Sequence, residues 1–196
     1  MEEFKAEVVE RISAAIPADN DKPLNVWTQD ESRWGLITIL RRRITLEGVK
    51  PILKTQHQYD NSWLYGAVAP ESGERFFLLL PRLDATNMQI FLDQFAEAHV
   101  DTFNVMLMDR SGAHTAKCLR IPDNIALVFF APACPELNPT ERLWEDLRGK
   151  LAGQCFAHLD CLEDELCAHL EQYTDSVVQS LTGYPYLREA INAVCS

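Results

Sequence analysis

The chain has 196 residues and a formal net charge of −11, and its 47% hydrophobic and 24% charged residues are typical of a globular protein. This length predicts one domain, and no apolar run approaches the roughly 20 residues that would span a bilayer, so we expect no membrane partner. The charged start MEEFKAEVVERI argues against a secretory signal, and the acidic balance argues against nucleic-acid binding through bulk electrostatics.

The first predicted element is a short amphipathic helix over residues 2–16, with one apolar residue at every fourth position. The prolines of PADNDKP (17–23) end this helix, and the segment LNVWTQDESRW (24–34) predicts a strand that ends at Asp30. The following LITILRRRITL (36–46) fits either a strand or an extended loop.

Basic residues cluster after this first strand. The segment 40–54 holds five basic residues and one acidic residue, whereas residues 1–21 and 152–196 are strongly acidic. The clustered bases are candidates for contacting DNA phosphates, although a solvated surface explains them equally well. These candidates are Arg41, Arg42, Arg43, Lys50 and Lys54.

A hairpin and a helix are predicted in the middle of the chain. WLYGAVAP (63–70) and RFFLLLP (75–81) flank the turn ESGE, as the two strands of a hairpin would. A helix then begins with Thr86 and Gln89 as a capping box. Three mostly antiparallel strands are therefore expected before this helix.

Two continuous apolar runs then predict buried strands. FNVMLMD ends at Asp109, and IALVFFAP covers residues 125–132. A short helix from Thr115 to about Leu119 is expected between them.

The next predicted helix carries Glu141 in its first turn, within PELNPTERLW. Asn138 is a strong N-cap residue, and Pro139 fits the first helical position. A carboxylate at Glu141 would reach back to the cap N–H and meet the positive end of the helix dipole. On this stretch alone, capping explains Glu141 without any chemistry. Two more helices are predicted, at about 159–173 and 185–194.

The order of these elements predicts an α/β fold, an open mixed sheet with three antiparallel strands, two parallel strands and helices on both faces. We expect a single domain over residues 1–196, in which 1–21 form an N-terminal helix and linker, 22–151 the core, and 152–196 the C-terminal helices. The six cysteines include no CxxC pair, which favours reduced thiols in a cytoplasmic protein over a zinc site.

Two of the predicted strands stop at an aspartate, Asp30 and Asp109, and a strand-closing aspartate is often a simple turn residue. If these strands are neighbours, their ends lie about 5 Å apart or one strand further, and the two carboxylates repel. A divalent cation removes this repulsion, and Mg²⁺ prefers such oxygen ligands. Glu141 would complete the site, so we expect the three carboxyl groups to converge within about 4–8 Å.

Three blocks of the sequence, TQDESRWGL, LMDRSGAH and APACPELNPTERLW, resemble those of the mariner-type DDE transposases, most closely the bacterial insertion-sequence 630 branch. The resemblance extends over most of the chain, including SLTGYPYLREAINA near its C-terminus. It implies a ribonuclease-H-like fold and a catalytic, metal-binding triad of Asp30, Asp109 and Glu141, with Asp30 bridging two metal ions. Arg110 and Thr140 depart from the residues that are usual in the family, as does Cys134, but no ligand is lost.

The resemblance also implies a function. It is DNA strand cleavage and strand transfer at insertion-sequence ends, with two Mg²⁺ ions for which Mn²⁺ can substitute. The expected partners are DNA, as transposon ends and target, a homodimer, and a helix-turn-helix segment that is absent here and encoded upstream, in a bacterial protein associated with the nucleoid. The alternative is a catalytically silent, truncated or regulatory relic that pairs with full-length transposase.

Four further residues are given roles around the predicted triad. His114 and Asn138 are expected near the site, and His114 would contact phosphate or position a water molecule. Packing at a helix start explains His114 as well. We expect Glu31 to point to the opposite face of its strand and to pair with Arg33 or with residues 41–43. Trp144 is expected to be a core residue only.

Overall fold

The computed structural model describes residues 2–42, 44–114, 116, 118–130 and 138–195 of the chain. Along the described residues, one helix precedes three strands, a second helix separates these from two further strands, and four helices follow, an order that one sheet with flanking helices accommodates. In chain order they are α1 (Glu2–Ala15), β1 (Leu24–Ile37), β2 (His57–Val68), β3 (Arg75–Leu80), α2 (Ala85–Ala98), β4 (Phe103–Met108), β5 (Ile125–Phe129), α3 (Thr140–Lys150), α4 (Leu159–Glu171), α5 (Asp175–Thr182) and α6 (Pro185–Cys195).

The five strands form one mixed sheet in the order β3-β2-β1-β4-β5. The pairs β1–β2 and β2–β3 are antiparallel, and the pairs β1–β4 and β4–β5 are parallel. The predicted sheet of three antiparallel and two parallel strands is therefore confirmed, and β1 lies at its centre.

Strand β1 differs from the prediction, because it continues through Asp30 to Ile37. Its parallel pairing with β4 ends at Thr28, opposite Leu107, but its antiparallel pairing with β2 goes on to Ile37. The prediction that the strand stops at Asp30 is wrong, because the partner on the other side keeps the backbone extended.

The hydrophobic core lies on both faces of the sheet, as predicted. On one face, α2 packs against a cluster that contains Trp27 of β1. On the other face, Val26 belongs to a cluster with α1 and α6, and Trp34 belongs to a cluster with α3, α4 and residues of α5. The even and odd positions of β1 thus face opposite layers, which is the alternation of a strand covered on both sides.

Several element boundaries differ from the predictions. Helix α2 begins one residue before Thr86, and its N-cap is Asp84, whose side chain accepts a hydrogen bond from Asn87 N, rather than the predicted capping box. Helix α5 was not predicted, because its eight residues carry too short an apolar pattern. The helix predicted from Thr115 to Leu119 includes positions 115 and 117, which lie outside the described residues, as do residues 131–137. Among the helices described, none is both long and apolar enough to cross a bilayer.

Candidate active site

Asp30 and Asp109 occupy equivalent positions on neighbouring strands. The last parallel pair of β1 and β4 joins Thr28 and Leu107, and each aspartate lies two residues beyond its own member of that pair. Side chains two residues apart in a strand point to the same face, and adjacent strands lie about 4.8 Å apart. Continued for two residues, this register would place the two aspartates side by side, although the parallel pairing ends at Leu107 and β4 itself ends at Met108.

The first turn of α3 is fastened to β1 immediately before Asp30. Thr140 Oγ1 donates a hydrogen bond to the backbone oxygen of Thr28 (3.0 Å), and the two threonine hydroxyls lie 2.9 Å apart. Asn138 Nδ2 donates to the backbone oxygen of Gln29 (2.9 Å). All three of these bonds are buried, so they hold the start of α3, and with it Glu141, against the strand that carries Asp30.

Asn138 keeps a capping role, but the helix begins one residue later than predicted. Pro139 is the N-cap of α3, and its own side chain makes no capping hydrogen bond. The Asn138 side-chain oxygen accepts a hydrogen bond from Thr140 N (3.2 Å), and its carbonyl accepts one from Glu141 N (3.2 Å). Glu141 is thus the second helical residue, where its carboxylate still meets the positive end of the helix dipole.

The Asp30 carboxyl group is surrounded by groups that disfavour its charge. Burial, followed by the negative charges of Glu141 and Glu31, raises the pKa of Asp30 to about 8. Two hydrogen bonds act in the opposite direction: the larger effect comes from Trp144 Nε1, which donates to Asp30 Oδ2 over 2.9 Å, and the smaller from the backbone of Glu31. The sequence interpretation of Trp144 as a core residue only is therefore incomplete, and its spacing of three residues from Glu141 was the available signal.

His114 contacts the carboxylates of Glu31 and Asp109 through its two ring nitrogens. Nε2 lies 2.8 Å from Glu31 Oε1, and Nδ1 lies 2.8 Å from Asp109 Oδ1 and 2.9 Å from the Asp109 carbonyl oxygen. Burial alone would lower the pKa of His114, but the hydrogen bond and charge of Glu31, with a smaller effect of Asp109, raise it to about 9. His114 is therefore an imidazolium at neutral pH.

The predicted partner of Glu31 is wrong. Instead of Arg33 or the 41–43 segment, it pairs with His114, which lies 83 residues further along the chain. The Glu31 side chain is 5% exposed, so it needs a charged partner close at hand. The Asp109 side chain is 61% exposed, although His114 contacts it as well.

The chemistry of the carboxylates fits a divalent cation. Carboxylate oxygens are the ligands that Mg²⁺ prefers, and the pKa of Asp30 is raised first by burial and then by the charges of Glu141 and Glu31, which a cation would offset. Within the described ranges, no group of three or more histidine, cysteine, aspartate or glutamate side chains is arranged to hold a metal ion. The donor set fits, while the assignment of Asp30, Asp109 and Glu141 as a triad stays a prediction.

The basic segment lies on the surface, beside α3. Arg41 Nη2 donates to the backbone oxygen of Glu145 (2.6 Å), and Arg42, Lys50 and Lys54 are exposed. Arg43 lies outside the described residues. Contact of this segment with DNA also stays a prediction.

Comparison with protein families gives a match over most of the chain. The family model described as DDE superfamily endonuclease matches residues 25–163. The uncharacterized protein y4pE/y4sA of Sinorhizobium fredii (strain NBRC 101917 / NGR234) is 34% identical over 116 residues, which cover 58% of this chain and 86% of that protein. The family match runs from Asn25, the second residue of β1, into the first turns of α4, and thus includes every residue of the candidate site.

Two solved structures share the fold. A Mos1 transposase paired-end complex with left transposon end is similar with a TM-score of 0.68 and 17% identity, over 98% of this chain and 60% of that chain. A mariner Mos1 paired end complex with Mg gives a TM-score of 0.68 and 17% identity, over 98% and 59% of the two chains. The fold is ribonuclease-H-like, and the chain spans about three fifths of the Mos1 chain that it matches.

Proposed function

This chain belongs to the DDE superfamily endonuclease family, and on that premise we propose that it is the catalytic domain of a transposase, which cuts and joins DNA strands at insertion-sequence ends. The observation that carries the proposal is the docking of α3 on β1. The buried hydrogen bonds of Asn138 and Thr140 hold Glu141 close enough for its charge to raise the pKa of Asp30. Holding two like charges together costs stability, and a site for a cation explains why the fold does so.

Asp30, Asp109 and Glu141 would hold Mg²⁺, or Mn²⁺ in its place, and a complex of the Mos1 transposase with Mg supports the choice of metal. Two bound ions supply activation of the attacking oxygen and stabilisation of the leaving oxygen. Asp30 and Glu141 are set by β1 and α3, whereas Asp109 follows the end of β4 and is exposed. Asp109 would therefore complete the metal site from a more exposed position than Asp30 and Glu141.

The reaction consists of two displacements at phosphorus. In the first, a water oxygen bonds to phosphorus, the bond to the 3′ oxygen breaks, and that oxygen leaves as a 3′-hydroxyl. In the second, this 3′-hydroxyl attacks a phosphodiester of the target, and a 3′ oxygen of the target leaves. The number of phosphodiester bonds is unchanged in the second step, so it needs no further source of energy.

His114 would act beside this reaction as a fixed positive charge. Its imidazolium is held by Glu31 from the interior of the fold and by Asp109 from the exposed side. A phosphate oxygen near Asp109 would gain a charge-assisted hydrogen bond from such a group. His114 thus suits binding of the scissile phosphate better than proton abstraction, because it is already protonated at neutral pH.

DNA is the proposed partner, both as transposon ends and as target. The exposed bases of residues 41–54 would contact phosphates, which give position and salt-dependent affinity but no base specificity. A helix-turn-helix segment encoded upstream would read the ends, and a homodimer would bring two ends together. The insertion-sequence 630 branch and a bacterial, nucleoid-associated setting are part of the same proposal.

Nicking of a supercoiled plasmid with Mn²⁺ or Mg²⁺ tests this function. We expect slow nicking by the chain, and its loss in Asp30→Asn and in Glu141→Gln. Asp123→Asn is the matched control, because Asp123 is an exposed aspartate just before β5. Nicking that persists in both site variants would contradict the triad. No nicking by the unaltered chain, with DNA binding retained, would favour the silent regulatory relic.

A further inference from the structure

We infer that Trp144 is a positioning residue that fixes the orientation of the Asp30 carboxyl group through its indole N–H. The inference deepens the proposed function and rests on it. Trp144 Nε1 lies 2.9 Å from Asp30 Oδ2, and the Trp144 side chain is fully buried. An indole nitrogen can only donate, so the bond is made to whichever carboxyl oxygen faces the ring.

Helix α3 supplies two of the side chains that act on the Asp30 carboxyl group. Glu141 and Trp144 are three residues apart on α3, and residues at this spacing lie on the same side of a helix. The hydrogen bonds of Thr140 to Thr28 fix the start of that helix on β1. The distance between the indole and Asp30 is therefore set by the same contacts that place Glu141.

A glycine opposite Asp30 makes room for the indole. Gly66 of β2 is the direct cross-strand partner of Asp30. A Cβ atom at Gly66 would lie 2.6 Å from Cη2 and 2.9 Å from Cζ2 of Trp144, closer than side-chain carbons approach in proteins. The six-membered ring thus occupies the space above Gly66, and its position directs Nε1 toward Asp30.

The ring is also held from the next strand. Phe77 of β3 pairs with Gly66 in the sheet, and its ring centroid lies 6.1 Å from that of Trp144. Three neighbouring strands thus act on the Trp144 side chain. Gly66 of β2 leaves space for the ring, Phe77 of β3 limits that space, and Asp30 of β1 accepts the hydrogen bond from Nε1. If Trp144 only filled space in the core, its aromatic ring would be needed but its indole N–H would not.

Two other buried tryptophans provide controls for this distinction. Trp34 Nε1 is buried, and within the described part of the chain it has no hydrogen-bond partner. Trp27 Nε1 donates to Asn104 Oδ1 (2.9 Å), on the face of the sheet that packs against α2 and is opposite to that of Asp30. Trp34→Phe therefore removes ring atoms only, and Trp27→Phe removes ring atoms and a buried hydrogen bond away from the site.

The first test measures Mn²⁺ binding to the full chain, by electron paramagnetic resonance, for Trp144→Phe and the two controls. We expect Trp144→Phe to weaken Mn²⁺ binding by about 10-fold or more, the usual cost of losing a group that orients a metal ligand. The nicking rate at saturating Mn²⁺ should stay within about threefold of the starting value, because the ligands themselves remain. Trp34→Phe and Trp27→Phe should leave the Mn²⁺ affinity unchanged. An equal loss in all three variants would overturn the inference.

A second measurement needs no altered tryptophan and so does not depend on how Trp144→Phe folds. The chain has four tryptophans, whose indole N–H groups give four signals in a ¹⁵N-labelled sample. Addition of Mg²⁺, or the substitution Asp30→Asn, should move the Trp144 signal and leave the Trp34 signal in place. A Trp144 signal unmoved by both changes would overturn the inference.

The same set of variants separates the inference from the proposed function. If Asp30→Asn binds Mn²⁺ as tightly as the starting protein, the assignment of Asp30 as a metal ligand is wrong. If Asp30→Asn loses Mn²⁺ and Trp144→Phe does not, the site stands and only the positioning role of Trp144 is wrong.

Discussion

Glu31 and His114 form a buried ion pair beside the candidate site, with 2.8 Å between Glu31 Oε1 and His114 Nε2. His114 uses its other nitrogen for Asp109, so a single ring couples the interior of β1 to the exposed end of β4. Because each of these groups lies next to a member of the predicted triad, changes in pH should alter stability and activity together.

Asp30→Asn should increase stability while it abolishes nicking. The folded state raises the pKa of Asp30 from 3.8 to about 8, so the charged carboxylate destabilises the fold progressively as the pH rises through that interval. Asparagine removes the charge and keeps an oxygen that can accept from Trp144. We expect a gain of several kcal/mol in the free energy of unfolding at pH 8, measured in urea, because each pKa unit corresponds to about 1.4 kcal/mol, and little gain near pH 4. Asp123→Asn should show no such pH-dependent gain.

His114→Gln should flatten the pH dependence of stability above pH 6.5. The folded state raises the pKa of His114 from 6.5 to about 9, so its contribution is fully present below 6.5 and is lost as the pH rises to 9. We expect the unaltered chain to lose up to about 3 kcal/mol more than the variant over this interval. Urea unfolding at several pH values measures the difference. Parallel curves for the two proteins would show that the imidazolium does not form.

Gly66→Ala should destabilise the fold and displace the indole from Asp30. The added Cβ would lie 2.6 Å from Trp144 Cη2, so the ring or the strand must move, at a cost of about 1–3 kcal/mol. Gly112→Ala is the matched control, because a Cβ there meets no atom within 4 Å. Thermal unfolding gives the stability change, and the Trp144 indole signal reports the displacement. A Gly66→Ala variant as stable as Gly112→Ala would contradict the packing argument.

DNA binding by this chain should be weak, sensitive to salt and nearly independent of sequence. Fluorescence anisotropy with two unrelated duplexes should give similar affinities, because phosphate contacts carry no base information. Replacing Arg42, Lys50 and Lys54 together by alanine should make the DNA affinity less dependent on salt. The change in slope should correspond to the loss of up to about three phosphate contacts. Arg82→Ala is a control with an exposed base outside the segment. Tight binding to one duplex only would show that the recognition surface lies elsewhere.

The sequence was sufficient for the strands in chain order and for the mixed sheet that they form, because hydrophobic runs are local signals, while the candidate triad stays a prediction. It was not sufficient for contacts between distant residues. The pair of Glu31 and His114 joins positions 83 residues apart, and neither residue carries a local sign of the other. The role of Trp144 was hidden because burial already explained a tryptophan at that spacing, whereas its hydrogen bond depends on the space left by Gly66.

The continuation of β1 through Asp30 determines what the repulsion between Asp30 and Glu141 can do. An aspartate on a free loop would swing away from a second carboxylate and relieve the repulsion at little cost. Asp30 has no such escape, because its backbone is paired with Gly66, and the pairing continues to Ile37. Moving it would break the central ladder of the sheet. The backbone hydrogen bonds of the sheet therefore act as a restraint that keeps the Asp30 carboxyl group near Glu141, where its ionisation stays unfavourable.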